Sequence, residues 1–511
     1  METSRSEYVF KNVFVTLTMQ IIKNILAFVS RTVFVYVLGA EYLGVNSLFT
    51  DILTVLSFTE LGIGNAMISS LYKPLAENNI EKMKSLMKLY SRAYQAIGVI
   101  IAILGVCIVP FLRYIVGDVS YIKENVIVLY LLFLLNSVIS YFFVYKKSLI
   151  IADQKNYIVD IYQQIFYAIQ VIIQSIFLVV TKQFIAYLII MVVITFLNNF
   201  YVAHKANKMF PFLTEKNVQP LSKKEERGIV TNVKALVIYK VGGIILESTD
   251  SIFISSLINV VTVGLYANYK MIVNVFKTIG NQVMNSVVAS IGNLNASANA
   301  EKKEKVFYEI FYVNTWFYGF TTVGLCVFMT PFIKIWLGNL FEISFASILA
   351  ICVYFYVSNM HYPCYTYRTT AGLFVFGKYV PLIAAIINIV LDVFMGKYLG
   401  LPGILWASTI SRVFTYEIVD PIMVYKRIFH KPVMTYFLVY FATMILVVVD
   451  GLISAKVISF IKLNTFIGLI LQVIVFFFFF NIIFFIVTCW TAQFKSIYER
   501  MKTILCKKRK K

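Results

Sequence analysis

Apolar residues fall along this chain in long runs, not in alternation. About fourteen such runs follow one another, each close to the ~20 residues that span ~30 Å of hydrocarbon. They lie roughly over residues 12–38, 43–71, 88–112, 123–145, 157–180, 184–203, 229–257, 260–292, 306–330, 344–367, 378–398, 402–424, 433–455 and 464–490. A run such as 469–490 (LILQVIVFFFFFNIIFFIVTCW) has no period of two, so its pattern is not that of a barrel strand. The pattern predicts an all-α polytopic membrane protein of about 14 transmembrane helices. The first run is too long for a signal-peptide core and no small-residue cleavage site follows it, so it is expected to stay as helix 1.

The runs also contain a repeat. Residues 79–86 read NIEKMKSL and residues 299–306 read NAEKKEKV, an offset of 220. Gly44-Val45 and Gly264-Leu265 share that offset, and Phe34 and Leu38 match Phe253 and Leu257 at 219. The offset covers six helices, an even number, so the halves share an orientation, as in the parallel-repeat plan of many secondary transporters. The expected organisation is an N-terminal lobe (1–203, helices 1–6), a cytoplasmic linker (204–228) and a C-terminal lobe (229–432, helices 7–12). Helices 13 and 14 (433–490) and a basic cytoplasmic tail (491–511) complete the chain. Residues 79–92 place Ile80, Met83, Leu86, Met87 and Tyr90 at helical spacing, either as a short interfacial helix or as the start of helix 3.

Composition agrees with this plan. Hydrophobic residues make up 60% of the chain and the mean hydropathy is +0.80, above what a soluble domain carries. The net charge of +21 is a topology signal more than a nucleic-acid footprint. With the N-terminus inside, about thirty-two Lys and Arg fall on the inner side and about seven on the outer, as the positive-inside rule requires. Both termini are then cytoplasmic. Orientation alone explains the terminal CKKRKK, which can also meet anionic headgroups. The six cysteines show neither CxxC nor zinc spacing, so they read as packing residues, and no metal is expected. Loops are too short for a soluble catalytic domain.

Charges inside the spans carry the chemistry. Lys23, Arg31, Lys234, Lys240, Lys270, Lys277 and Arg412 lie within them, with Asp51, Glu60, Glu247, Asp250, Asp392 and Glu417. Each central charge costs ~2.5–3.5 kcal/mol on insertion scales, so these should face a watery cavity or one another. On helix 1, Thr16, Gln20, Lys23, Asn24, Ala27 and Arg31 form one polar or small stripe. On helix 7, Lys240, Gly243, Glu247, Asp250 and Ser251 form another, and Gly242-Gly243 is a candidate kink. One reading is a latch joining Arg31 to Asp250 or Glu247, and Lys240 to Glu247. The other is a cavity for an anionic ligand, because cations outnumber acids there and Lys23 has no evident partner. Lys270 and Lys277 would line the same cavity, the alternative for Lys234 and Lys277 being to snorkel to an interface. Asp51 and Glu60, nine residues apart, lie on opposite sides of a straight helix. Arg412 and Glu417 are candidates for a second cluster.

Near the inner end of helix 2 stands FTELGIGNA (58–66), after GAEYLGVNSLF (39–49). The short turn ending in Leu43-Gly44, followed by Glu60-Leu61-Gly62-Ile63-Gly64, resembles the Wzx-type oligosaccharide flippases of the multidrug/oligosaccharidyl-lipid/polysaccharide (MOP) exporter superfamily. The family more often has Asp where Glu60 stands. The resemblance implies a MATE-like pair of six-helix lobes with two extra helices, in a bacterial plasma membrane. It implies, as cargo, an undecaprenyl-pyrophosphate-linked oligosaccharide moved from the inner to the outer leaflet by alternating access. Lys23, Arg31, Gln20, Asn24, Lys240 and Lys270 would then bind it, the cations replacing the hydration of the pyrophosphate. Glu247, Asp250, Asp51 and Glu60 would gate or pair. No cofactor is implied, and coupling to a proton or sodium gradient, or to the membrane potential, stays open. Membrane lipids, a polysaccharide polymerase and glycosyltransferases are the implied partners. Four rivals remain, one of them a non-transporting scaffold, which would not explain the buried charge. A lipid II flippase is hard to separate on residues. A multidrug or cation antiporter of the same superfamily would favour an acidic cavity, against the cation surplus here. A membrane glycosyltransferase or polymerase would carry a long outer catalytic loop.

Overall fold

In a computed structural model the chain is described over residues 5–57, 63–117, 122–215, 218–223, 225, 227, 243–246, 248–373, 377–461 and 465–508. Among these residues there are helices and turns and no strand. Contacts divide the chain into two compact units, Met1–Gly264 and Leu265–Lys511. Ten helical segments are long and apolar enough to cross a bilayer among the described residues. Their outer faces expose large apolar side chains such as Ile21, Val180, Phe394 and Ile467, as a hydrocarbon solvent permits.

The first unit opens with α1 (Arg5–Leu56), two helices merged at Gly39, whose φ of 89° and ψ of −173° break the helical path. Glycine occupies that positive φ without a Cβ penalty. The sequence-predicted spans 12–38 and 43–71 therefore meet at one residue. There follow α2 (Ile63–Ala76), α3 (Ile80–Ile108), α4 (Leu112–Val116), α5 (Val126–Tyr141), α6 (Lys147–Ala152), α7 (Asn156–Thr181), α8 (Phe184–Met209) and α9 (Asp250–Leu257). Residues 79–92 are the start of α3. Met83, Leu86, Met87 and Tyr90 are buried, while Ile80 is exposed.

The helix α10 (Val260–Ser297) begins in the first unit and runs into the second. After it come α11 (Ala300–Leu337), α12 (Phe345–Met360), α13 (Tyr362–Thr370), α14 (Val380–Leu399), α15 (Leu401–Val413), α16 (Tyr416–Val424), α17 (Met434–Ser459), α18 (Phe466–Thr488) and α19 (Ala492–Lys508). The span over Phe345–Thr370 is 61% buried, against 22% for several others, so α12 and α13 form the interior of the second unit. Aromatic residues fill its core, with Phe307, Phe311, Tyr367, Phe429 and Tyr436 packed in edge-on and tilted pairs.

The repeat has a structural counterpart. Asn79 caps α3, its side chain accepting from Lys82 N at 3.0 Å. Asn299 caps α11 in the same way, accepting from Lys302 N at 3.1 Å. Each satisfies a helix-terminal N–H that would otherwise lack a partner. Within the first unit, the equivalent glycines lie at one helix crossing. A Cβ on Gly44 would stand 2.0 Å from Val260 O, and one on Gly264 would stand 2.2 Å from Ala40 O and 2.9 Å from Gly44 N. Small residues permit this backbone approach.

The segment after α8 is tied back to α3. Lys84 pairs with Glu215 at 2.6 Å, Lys82 pairs with Glu225 at 2.8 Å, and Ser85 Oγ donates to Gln219 O at 2.6 Å. Lys82 and the Ser222 hydroxyl hold the Glu225 carboxyl below its ordinary range. In the second unit α19 folds onto α11: Ser496 Oγ donates to Glu309 Oε1 at 2.6 Å, and Arg500 Nη2 lies 2.8 Å from Glu309 Oε2.

Candidate functional site

The stripe on α1 is only partly gathered into a site. Gln20 Nε2 donates to Asn24 Oδ1 at 3.1 Å, one turn away, and Lys23 beside them is exposed. Two turns further, Arg31 is half-buried, because α1 packs there against α7. Its charge lies beside the phenols of Tyr167 on α7 and Tyr187 on α8. Tyr187 is itself held by Ser30 and by edge-on packing with Phe34 at 5.2 Å. The pairing of α7 with α8 is fixed nearby by Gln174 Nε2, which donates to Tyr187 O at 2.8 Å. Arg31 Nη1 is enclosed without a hydrogen-bond partner among the described residues. Such an enclosed donor costs stability until something accepts from it.

No ion pair joins Arg31 to Asp250 among the described residues, so the latch between them is not formed here. Asp250 is buried at the start of α9, and its neighbour Ser251 donates to Asp51 Oδ2 at 2.5 Å. Asp51 and the start of α9 are thereby brought together. Lys270 is half-buried on α10, in the second unit. Lys240, Glu247 and Glu60, with Lys234 and Gly242, lie outside the described residues.

A second group of charges is buried in the second unit. His361, at the junction of α12 and α13, has Nε2 2.6 Å from Asp420 Oδ2 on α16. Arg368 on α13 is 1% exposed and places Nε 3.3 Å from Asp420 Oδ1. Space for its guanidinium exists because residue 377 is glycine: a Cβ there would lie 2.0 Å from Arg368 Nη1. Arg412 on α15 places Nε 3.6 Å from Glu417 Oε1 and Nη2 3.4 Å from His361 Nδ1, and donates to Ser358 O at 3.2 Å. Its guanidinium carbon also stands 4.9 Å from the Tyr416 ring centre. The sequence singles out Arg412 and Glu417 as candidates for a second cluster, and does not single out His361, Arg368 or Asp420. The available signal was spacing: His361 and Arg368 are seven apart, Glu417 and Asp420 three apart, both one-face separations on a helix. A smaller polar group joins α14 to α15, where Asn388 Nδ2 donates to Asp392 Oδ1 at 3.3 Å and Ser408 Oγ at 3.2 Å.

The arrangement is that of a helical membrane protein with buried cations and no cluster of metal-ligating side chains among the described residues. Residues 9–289, more than half the chain, match the family described as polysaccharide biosynthesis protein. The chain belongs to the polysaccharide biosynthesis protein family. Its fold is shared with solved structures at low identity. The lipid II flippase MurJ in an inward closed conformation is 15% identical, over 93% of this chain and 98% of that one, with a TM-score of 0.66. An inward-facing multidrug resistance MATE family transporter of the MOP superfamily is 13% identical, over 80% and 96%, at 0.62. The MATE multidrug transporter DinF-BH is 15% identical, over 82% and 97%, at 0.59. No curated protein gives a significant match. The family match and the shared fold agree with the resemblance carried by Glu60-Leu61-Gly62-Ile63-Gly64, and with ten membrane-length helices among the described residues they make this polysaccharide biosynthesis protein a multi-pass membrane protein.

Proposed function

We propose that the protein flips an undecaprenyl-pyrophosphate-linked oligosaccharide from the inner to the outer leaflet of a bacterial plasma membrane, for surface polysaccharide synthesis. The observation that carries this reading is Arg31: an enclosed guanidinium with an unpartnered Nη1 between two tyrosines. A guanidinium takes phosphate oxygens in forked, charge-assisted hydrogen bonds, and a pyrophosphate supplies several. Gln20 and Asn24, already bonded to each other, offer amides to sugar hydroxyls. Lys23, exposed in this arrangement, acts at the approach to Arg31, and Lys240 and Lys270 are further cations for the same anionic cargo. Asp51 and Asp250 stand by a gate. The protein transports and performs no covalent step. Both termini are cytoplasmic, and the polymerase and glycosyltransferases of the same polymer are its working partners.

The test is native mass spectrometry of the protein extracted from its own membrane. A co-purifying polyprenyl-pyrophosphate glycan in the wild type, lost in Arg31→Ala, is the expected result. In cells, the same substitution at normal expression should make lipid-linked repeat units accumulate on the inner leaflet. Retention of the lipid by Arg31→Ala would remove Arg31 from the site. A peptidoglycan precursor in its place would assign lipid II as cargo, and saturable binding of organic cations would make the protein a drug exporter.

A further inference from the structure

The helix α7 carries a feature of the first unit that Arg31 alone does not explain. Asn156, Asp160, Gln163, Tyr167, Gln170 and Gln174 follow one another in steps of four and three, so they share one face. From first to last they climb about 27 Å at 1.5 Å per residue, nearly the ~30 Å of the hydrocarbon core. The opposite face is apolar: Ile165, Ile169, Ile172, Ile176 and Val179 keep the same steps and are all exposed, as contact with lipid permits. A helix that only filled space in lipid would carry no such polar line, because an amide facing hydrocarbon without a partner is costly.

The line is turned toward α1 and α8. Tyr167 stands beside Arg31, and Gln174 Nε2 donates to Tyr187 O at 2.8 Å. Phe34, one turn beyond Arg31, packs on Tyr187 at 5.2 Å, so α1 and α7 climb in the same sense. Gln20 and Asn24 therefore lie on the N-terminal side of Arg31 as Asp160 and Gln163 lie on that of Tyr167, and polar residues of two helices flank one path. Asn156 Nδ2 donates to Asp160 Oδ2 at 3.0 Å, and Gln170 Nε2 to Gln174 Oε1 at 3.2 Å, which keeps these side chains along the line. Packing does not close it: Gln163 is exposed, and Asp160, Tyr167 and Gln170 are half-buried. Next to Gln163, Gln164 is 8% exposed, and its Nε2 is enclosed without a hydrogen-bond partner among the described residues.

We propose that this face of α7 binds the carbohydrate of the cargo, with Gln163, Tyr167 and Gln170 hydrogen-bonding sugar hydroxyls while Arg31 holds the phosphate. Side-chain amides and phenols donate and accept at once, as a sugar hydroxyl does. No Lys or Arg lies within α7, so its face has no positive charge with which to hold an anion. The work is divided between the helices: the charged part of the cargo on α1, the neutral glycan along α7. The length of the line gives room for more than one sugar in an extended chain. Gln174, 1% exposed and bonded to Tyr187 O, positions α8 and does not reach the cargo. The assignment rests on the reading of a lipid-linked oligosaccharide as cargo.

The test titrates two lipids against the full protein in nanodiscs, read by native mass spectrometry. One is undecaprenyl pyrophosphate, which has no sugar. The other is the lipid-linked glycan isolated from the same membrane. The unsubstituted protein should bind the glycan lipid at least about tenfold more tightly, as a few net hydrogen bonds supply. In Gln163→Leu/Gln170→Leu that preference should fall to about twofold or less, while undecaprenyl pyrophosphate is bound as before. Retained binding of the sugar-free lipid also shows that the variant is folded. Gln163→Asn/Gln170→Asn, which keeps both amides, should recover part of the preference, and Ile172→Leu on the lipid face should keep all of it. Equal affinity of the unsubstituted protein for the two lipids would overturn the inference without any variant, as would a full preference in Gln163→Leu/Gln170→Leu. Either result leaves the cargo reading standing. Binding of neither lipid by the unsubstituted protein would remove the cargo reading and this inference with it.

Discussion

Asp420 answers two partners at once, His361 through Oδ2 and Arg368 through Oδ1, and is itself fully buried. Removing one member of a buried charge group leaves the others uncompensated, at a cost of about 3–5 kcal/mol. Asp420→Ala should therefore lower the thermal unfolding midpoint of the detergent-solubilised protein markedly. Asp420→Asn, which keeps an acceptor for His361, should lower it less. Equal losses would mean that charge is not what Asp420 supplies. Residues of this kind were only half legible in the sequence. Spacing shows which side chains share a face, but not which face of which other helix they meet. Arg368 follows the end of an apolar run, where the positive-inside rule reads every cation as a loop charge. Lys23 and Arg31 share one stripe, yet Arg31 is packed against α7 and α8 while Lys23 is exposed. Periodicity cannot see where a neighbouring helix stops covering a stripe.

At the scale of elements, the crossing of α1 and α10 is constrained by backbone contact. Alanine at Gly44 would bring a Cβ to 2.0 Å from a main-chain oxygen, which no side-chain rotation can relieve. Gly44→Ala and Gly264→Ala should each cost about 1–3 kcal/mol, as overpacking does. Gly292→Ala, whose Cβ would meet Thr370 at an ordinary 3.9 Å, is the control and should leave the unfolding midpoint nearly unchanged. The helices themselves were legible because runs of apolar residues near membrane length have few alternatives. Their joints were less so. The turn between the first two spans shrinks to Gly39, since a residue at positive φ redirects the chain without a loop. Residues 79–92, open to two readings by pattern, continue into α3 because Asn79 supplies the cap that starts it.

For the molecule as a whole, the distribution of Lys and Arg predicts sidedness. A tag placed after the basic tail should be protected from protease in intact cells, and a cleavage site inserted at Lys182, in the turn between α7 and α8, should be cut from outside. The reverse pattern would invert the assignment. The family and fold were readable from the architecture together with a short Glu-Leu-Gly motif, and the solved relatives agree in fold at 15% identity or less. The cargo was not readable to the same depth, because a binding site gathers side chains in three dimensions and a sequence lists them in one.

The glycine crossing bears on which substitutions the chain tolerates. Gly44 meets Val260 and Gly264 meets Ala40, so each contact becomes the other when 220 is added to one residue and taken from its partner. A side chain at either glycine collides with a main-chain oxygen of the facing helix, and a change at one position leaves the collision at the other in place. The two positions therefore constrain the crossing separately, and no substitution at one makes room at the other.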